Sequence, residues 1–137
     1  MSRFVKLGLA VAVAIAAAGC GGDKLLRTQG RVLKGGEPFI PEEGEYIQIT
    51  FVPIPEKGRR ARNHYYADVD QTTGTFMPSG PNHKGMPAGI YRVAVELMKQ
   101  KQDLLQGKFD EELSPFVFEI DADTGEIVID LDDPPTS

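Results

Sequence analysis

Gly89-Ile90-Tyr91-Arg92-Val93-Ala94-Val95-Glu96-Leu97 decides the fold. Tyr91, Val93, Val95 and Leu97 alternate with Ile90, Arg92, Ala94 and Glu96. A period of two sends successive side chains to opposite faces of an extended chain, so the stretch reads as a strand with one apolar face. The same period recurs on both sides of it. Ile47, Ile49 and Phe51 alternate with Tyr46, Gln48 and Thr50; Tyr65, Ala67 and Val69 alternate with His64, Tyr66, Asp68 and Asp70. Downstream, Phe116, Phe118 and Ile120 alternate with Val117 and Glu119, and Ile127, Ile129 and Leu131 with Val128 and Asp130. Shorter strands fit residues 29–33 and 75–77.

Turn residues separate these runs: Gly35-Gly36, Gly58, Thr73-Gly74, Ala88-Gly89 and Thr124-Gly125. Each can supply the positive φ that a tight turn needs. Asp123-Thr124-Gly125-Glu126 is expected to close a hairpin between the last two strands. Short alternating strands punctuated by turns predict an all-β fold, a seven-stranded antiparallel β-sandwich of Greek-key type over residues 28–131. One stretch departs from the pattern. Lys99-Gln100-Lys101-Gln102-Asp103-Leu104-Leu105-Gln106 holds good helix formers and stops at Gly107, which predicts one short helical excursion within 98–114. Residues 132–137 read as a disordered tail.

The N-terminus carries a different signal. Arg3 and Lys6 precede an uncharged apolar run from Leu7 to Ala18, which ends in Ala17-Ala18-Gly19-Cys20. A basic start, a short apolar run and small residues mark an export signal peptide, and the run is too short to span a bilayer comfortably. Small residues before a lone cysteine resemble the lipobox of bacterial lipoproteins, although Ala17 stands where leucine is usual. The resemblance implies removal of residues 1–19 and acylation of the Cys20 thiol by palmitate-type chains. Residues 20–27 then form a flexible tether to the membrane. Gly21 rather than aspartate follows the cysteine, which by analogy points to the outer membrane or its periplasmic face rather than the inner membrane.

The mature chain would hold 118 residues, enough for one domain with a modest core. The whole sequence has 15 Lys+Arg and 20 Asp+Glu; without Arg3 and Lys6 the balance is 13 to 20, a formal charge of −7. An acidic exported domain lacks the cationic surface that phosphate neutralisation requires, so no nucleic-acid partner is expected. A single cysteine allows no internal disulfide.

Three further stretches resemble carboxypeptidase-regulatory-like, transthyretin-related domains. Gly30-Arg31-Val32-Leu33-Lys34-Gly35-Gly36-Glu37-Pro38 is similar to their opening strand and turn, Asp70-Gln71-Thr72-Thr73-Gly74-Thr75-Phe76 to their D-x-x-G-x-F turn, and Pro87-Ala88-Gly89-Ile90-Tyr91-Arg92-Val93 to their P-x-G-x-Y-x-V strand entry. Phe109-Asp110-Glu111-Glu112-Leu113-Ser114-Pro115 is similar to a segment of small lipoproteins of planctomycete-type bacteria. The resemblance implies a transthyretin-like or immunoglobulin-like topology. In physical terms the motif residues set the fold: Gly30 permits close approach at a strand, Gly74 suits a positive-φ turn, and Phe76 anchors the core.

Candidate chemistry is sparse. Ser79 and Ser114 lie beside prolines without a nucleophile elbow, and His64 and His83 have no metal-type spacing. The transthyretin-related hydrolase carries a C-terminal Tyr-Arg-Gly-Ser signature, whereas this chain ends Pro134-Pro135-Thr136-Ser137. The acidic turns at Asp68-Val69-Asp70 and Asp121-Ala122-Asp123 lack the Gly and Glu positions of an EF-hand loop and read as hairpin turns. No catalytic residue, metal or cofactor is therefore expected.

Two features remain for binding. Arg59, Arg60 and Arg62 share one loop with Lys57 and offer a contact for an anionic envelope partner. Tyr46 and Tyr66 are expected to face outward, where rings can stack on sugars. The expected function is a non-enzymatic, lipid-anchored cell-envelope module that binds or makes structural contacts through its loops, with an envelope protein or polysaccharide as partner. The alternative is a carbohydrate-binding module, which requires both tyrosines on one face. A hydrolase, the third class, requires a pocket where a histidine meets a carboxylate.

Overall fold

The computed structural model describes residues 24–55, 57, 63–80 and 83–136. The leader with Cys20, and Arg59, Arg60 and Arg62, lie outside the described residues. Eleven strands follow in chain order among those residues: β1 (Leu25–Leu26), β2 (Gly30–Lys34), β3 (Glu37–Pro38), β4 (Glu45–Pro53), β5 (Tyr65–Val69), β6 (Thr75–Pro78), β7 (Met86–Pro87), β8 (Gly89–Lys99), β9 (Gln102–Asp103), β10 (Val117–Ile120) and β11 (Ile127–Asp130). Each run of period two became one of the longer strands, and β1, β3, β7 and β9 are two-residue additions.

The spine is the antiparallel pair β4 and β8, in register from Glu45↔Lys99 to Pro53↔Tyr91. The full order is β10-β8-β4-β5-β6-β2-β11. β5 makes the corner: Tyr65 and Tyr66 pair with Phe51 and Thr50 of β4, while Ala67, Asp68 and Val69 pair with Pro78, Met77 and Phe76 of β6. The ribbon of strands thus folds into two layers that face each other, an all-β sandwich-like architecture. Ile47, Ile49, Phe51, Val93 and Val95 from one layer meet Val32, Phe76, Ile127 and Ile129 from the other. The ring of Phe51 lies 6.1 Å from both Phe76 and Tyr91, within the range of favourable aromatic pairs.

Two glycines behave as their motifs predict. A Cβ on Gly30 would lie 2.3 Å from Cζ of Phe76, so only glycine lets that ring fill the core beside β2. Gly74 holds φ +74° and donates its N–H to Asp70 O, closing the turn before β6.

Two expectations require correction. β10 and β11 do not form a hairpin: β10 pairs antiparallel with β8, and β11 pairs parallel with β2. Ile120 and Ile127 are both buried, and crossing to the facing layer lets each strand bury its apolar side while completing a different sheet. The 121–126 segment is closed locally instead, by Asp121 Oδ1 on Asp123 N–H and Thr124 Oγ1 on Asp121 N–H. The helical excursion is also absent. β8 runs on to Lys99, turns through Gln100 and Lys101 at positive φ, and returns as β9, with Met98 opposite Asp103. The Asp103 carboxylate then accepts the N–H groups of Leu97, Leu105 and Gly107. Helix propensity of a few tenths of a kcal/mol per residue cannot compete with these bonds and with the burial of Phe109, whose carbonyl accepts Val95 N–H.

The chain is held earlier than the expected tether allows, since Leu25 and Leu26 pair with Pro87 and Met86. At the other terminus, Asp132 N–H donates to Asp130 Oδ1 and Asp133 N–H to Asp130 O.

Candidate functional site

The outward side of the β10-β8-β4-β5 layer carries the chemistry-bearing residues. Thr50 lies opposite both Ala94 and Tyr66, Gln48 opposite Glu96, and Tyr46 opposite Met98. Directly opposed residues of antiparallel strands share a face, as do residues two apart. Tyr46, Gln48, Thr50 and Tyr66 therefore share one face with Arg92, Ala94, Glu96 and Met98. Tyr46 is 46% and Tyr66 58% exposed. Four residues along β4 and one strand across put the two backbones about 14 Å apart, given roughly 3.3 Å per residue and 4.8 Å between strands. Thr50, opposite Tyr66, and Ala94, opposite Thr50 on β8, are buried despite lying on the outward side.

The 109–116 segment borders this face. Ser114 Oγ donates to Val93 O at 2.5 Å, and Arg92 Nη1 donates to Glu112 O at 3.1 Å. Glu111 Oε1 then stands 3.3 Å from Nδ1 of His64. The carboxyl of Glu96 is pushed above the usual range, first by burial and then by the negative charges of Asp103, Glu111 and Asp110. The face is thus a platform with an aromatic ring toward either end and an acidic side against the 103–111 segment.

The second histidine also meets an acid: His83 Nδ1 lies 3.1 Å from Asp68 Oδ2, with both side chains well exposed. The two serine hydroxyls singled out in the sequence are bonded to backbone. Ser79 Oγ donates to Tyr66 O, and Ser114 is buried against Val93 O. The acidic turn residues are likewise committed to backbone. Asp70 accepts the hydroxyl and the N–H of Thr72, bonds that hold its carboxyl below the usual range. Among the described residues no three His, Cys, Asp or Glu side chains converge as metal ligands.

A separate cleft of about 420 Å³ opens at the end of the sandwich where β2 and β8 finish. Phe39, Leu97, Leu105, Phe109 and Leu131 line it, with Lys34 and Lys108 placed over the rings of Phe39 and Phe109 at 5.9 and 5.1 Å. Sequence reading missed this cleft because its walls come from four distant segments. No family model, curated protein or solved structure matches this chain.

Proposed function

We propose that this chain is a non-enzymatic, lipid-anchored envelope module that recognises a polysaccharide on the face bearing Tyr46 and Tyr66. The observation that carries the reading is the register that puts both exposed tyrosines on one face. Exposed tyrosines on backbones about 14 Å apart suit stacking on separate residues of an extended glycan, and the polar groups of Gln48 between them and Glu96 on the neighbouring strand suit its hydroxyls. Ser79 Oγ and Ser114 Oγ each donate to a backbone carbonyl, which supports a binding role over hydrolysis at either serine. The leader and Cys20 support export and anchoring, and the motif likeness supports a transthyretin-like relationship.

Two measurements test this. Intact mass of protein from the native membrane should show a chain beginning at Cys20 with added acyl mass, abolished by Cys20→Ala. Sedimentation with insoluble envelope polysaccharide should retain the wild type, with a loss of about tenfold in affinity for Tyr46→Ala or Tyr66→Ala, corresponding to about 1.4 kcal/mol. Equal retention of wild type and the double alanine variant would refute the tyrosine face.

A further inference from the structure

We infer that the end of the sandwich holding β1 and β7 rests on the bilayer through an anionic-lipid contact of its own; the inference builds on the lipid-anchor reading of Cys20. Only three residues separate Cys20 from Lys24, the first described residue. Even fully extended, that length spans about 14 Å. From Leu25 onward the chain is fastened to the domain, because Leu25 and Leu26 pair with Pro87 and Met86. An acylated Cys20 would therefore keep this end against the membrane, and the lipid-facing surface can be read from the residues there.

Those residues have the composition of a membrane-interface contact. Leu25, Ile54 and Ile90 are exposed at 38%, 37% and 46%. They belong to one neighbourhood: Leu25 lies opposite Pro87, Ile90 follows three residues later, and Ile54 N–H donates to Ile90 O at 2.8 Å. Lys24, Lys57 and Lys84, all exposed, are chain neighbours of this group. Lys84 adjoins Gly85, whose position beside Leu26 O leaves no room for a Cβ. Apolar side chains entering the headgroup boundary and lysines meeting anionic headgroups reinforce one another, and a lysine near such a surface contributes on the order of 1 kcal/mol. Glu119, opposite Ile90, and Asp121 and Asp123 stand at the same end on the β10 side. They tilt the contact toward β1 and β7. The opposite end, with its cleft, then faces away from the membrane.

The test uses full-length acylated protein in vesicles of equal parts phosphatidylcholine and phosphatidylglycerol. With Cys20 blocked by acylation, an introduced cysteine is the one free thiol. Ile54→Cys, Ile90→Cys and, at the far end, Leu104→Cys each carry an environment-sensitive nitrobenzoxadiazole label. A spin-labelled headgroup lipid should quench the labels at 54 and 90 strongly and leave the label at 104 nearly unaffected. Replacing Lys24, Lys57 and Lys84 together by glutamate should remove most of that quenching. Equal quenching at all three positions on an acylated chain overturns the orientation, and undiminished quenching after charge reversal overturns the anionic contact. A chain whose mass shows no acyl group overturns the anchor reading itself, so the failures are distinguishable.

Discussion

Gln71→Ala should destabilise the domain by about 2 kcal/mol although the residue touches little of the apolar core. At Ile47, β4 pairs with β8 on one side, but β5 reaches only Thr50 and Phe51 on the other. Ile47 N–H donates to Gln71 Oε1 at 2.8 Å, and Gln71 Nε2 donates to Ile47 O at 3.0 Å. One side-chain amide thus stands in for a missing strand. Each such bond contributes about 0.5–1.5 kcal/mol net, and losing both leaves a half-buried donor and acceptor for water to satisfy. In a domain of this size about 2 kcal/mol lowers Tm by about 10 °C. Urea unfolding at neutral pH measures the loss. Gln71→Glu sharpens the test. Its carboxylate still accepts from Ile47 N–H but opposes Ile47 O, whereas the protonated acid can again donate to that carbonyl. The deficit of Gln71→Glu relative to wild type should therefore shrink as pH falls from neutral toward the ordinary glutamate value of about 4.3, and be smallest below it. A Gln71→Ala protein within about 0.5 kcal/mol of wild type, or a Gln71→Glu deficit independent of pH, would refute the reasoning.

Two further outcomes follow from the same geometry. Glu96 has its folded-state pKa raised by burial and by Asp103, Glu111 and Asp110, so folding favours its protonated form and stability is lost as pH rises through that raised value. Glu96→Gln should then stabilise the protein at pH 7 and have little effect at pH 4, as read from thermal unfolding at both values. Gly30→Ala forces a methyl to within 2.3 Å of Phe76 Cζ and 2.7 Å of Ile127 O, at a cost of about 3 kcal/mol; adding Phe76→Leu should recover only part of it, because the Ile127 carbonyl is backbone. Chemical denaturation of the single and double variants measures both effects.

The strands were legible in the sequence because burial on one face imposes a period of two, and that signal is local. Every run of it, from Tyr46-Ile47 to Ile127-Val128, lies in a strand, and the glycines at 30 and 74 do what their motifs imply. Outward placement of Tyr46 and Tyr66 was likewise legible from phase alone. Pairing was not. Whether β10 turns back on β11 or crosses to the other layer depends on which arrangement buries Ile120 and Ile127, and that energy exists only once both layers are assembled. The same holds for 99–107, where intrinsic preference is a few tenths of a kcal/mol per residue and the carboxylate of Asp103, with three N–H groups to satisfy, outweighs it. The meeting of His64 with Glu111 and the amide of Gln71 on Ile47 join residues far apart in the chain. Local pattern determined the elements and their faces, and long-range burial and hydrogen-bond satisfaction decided which of them became neighbours.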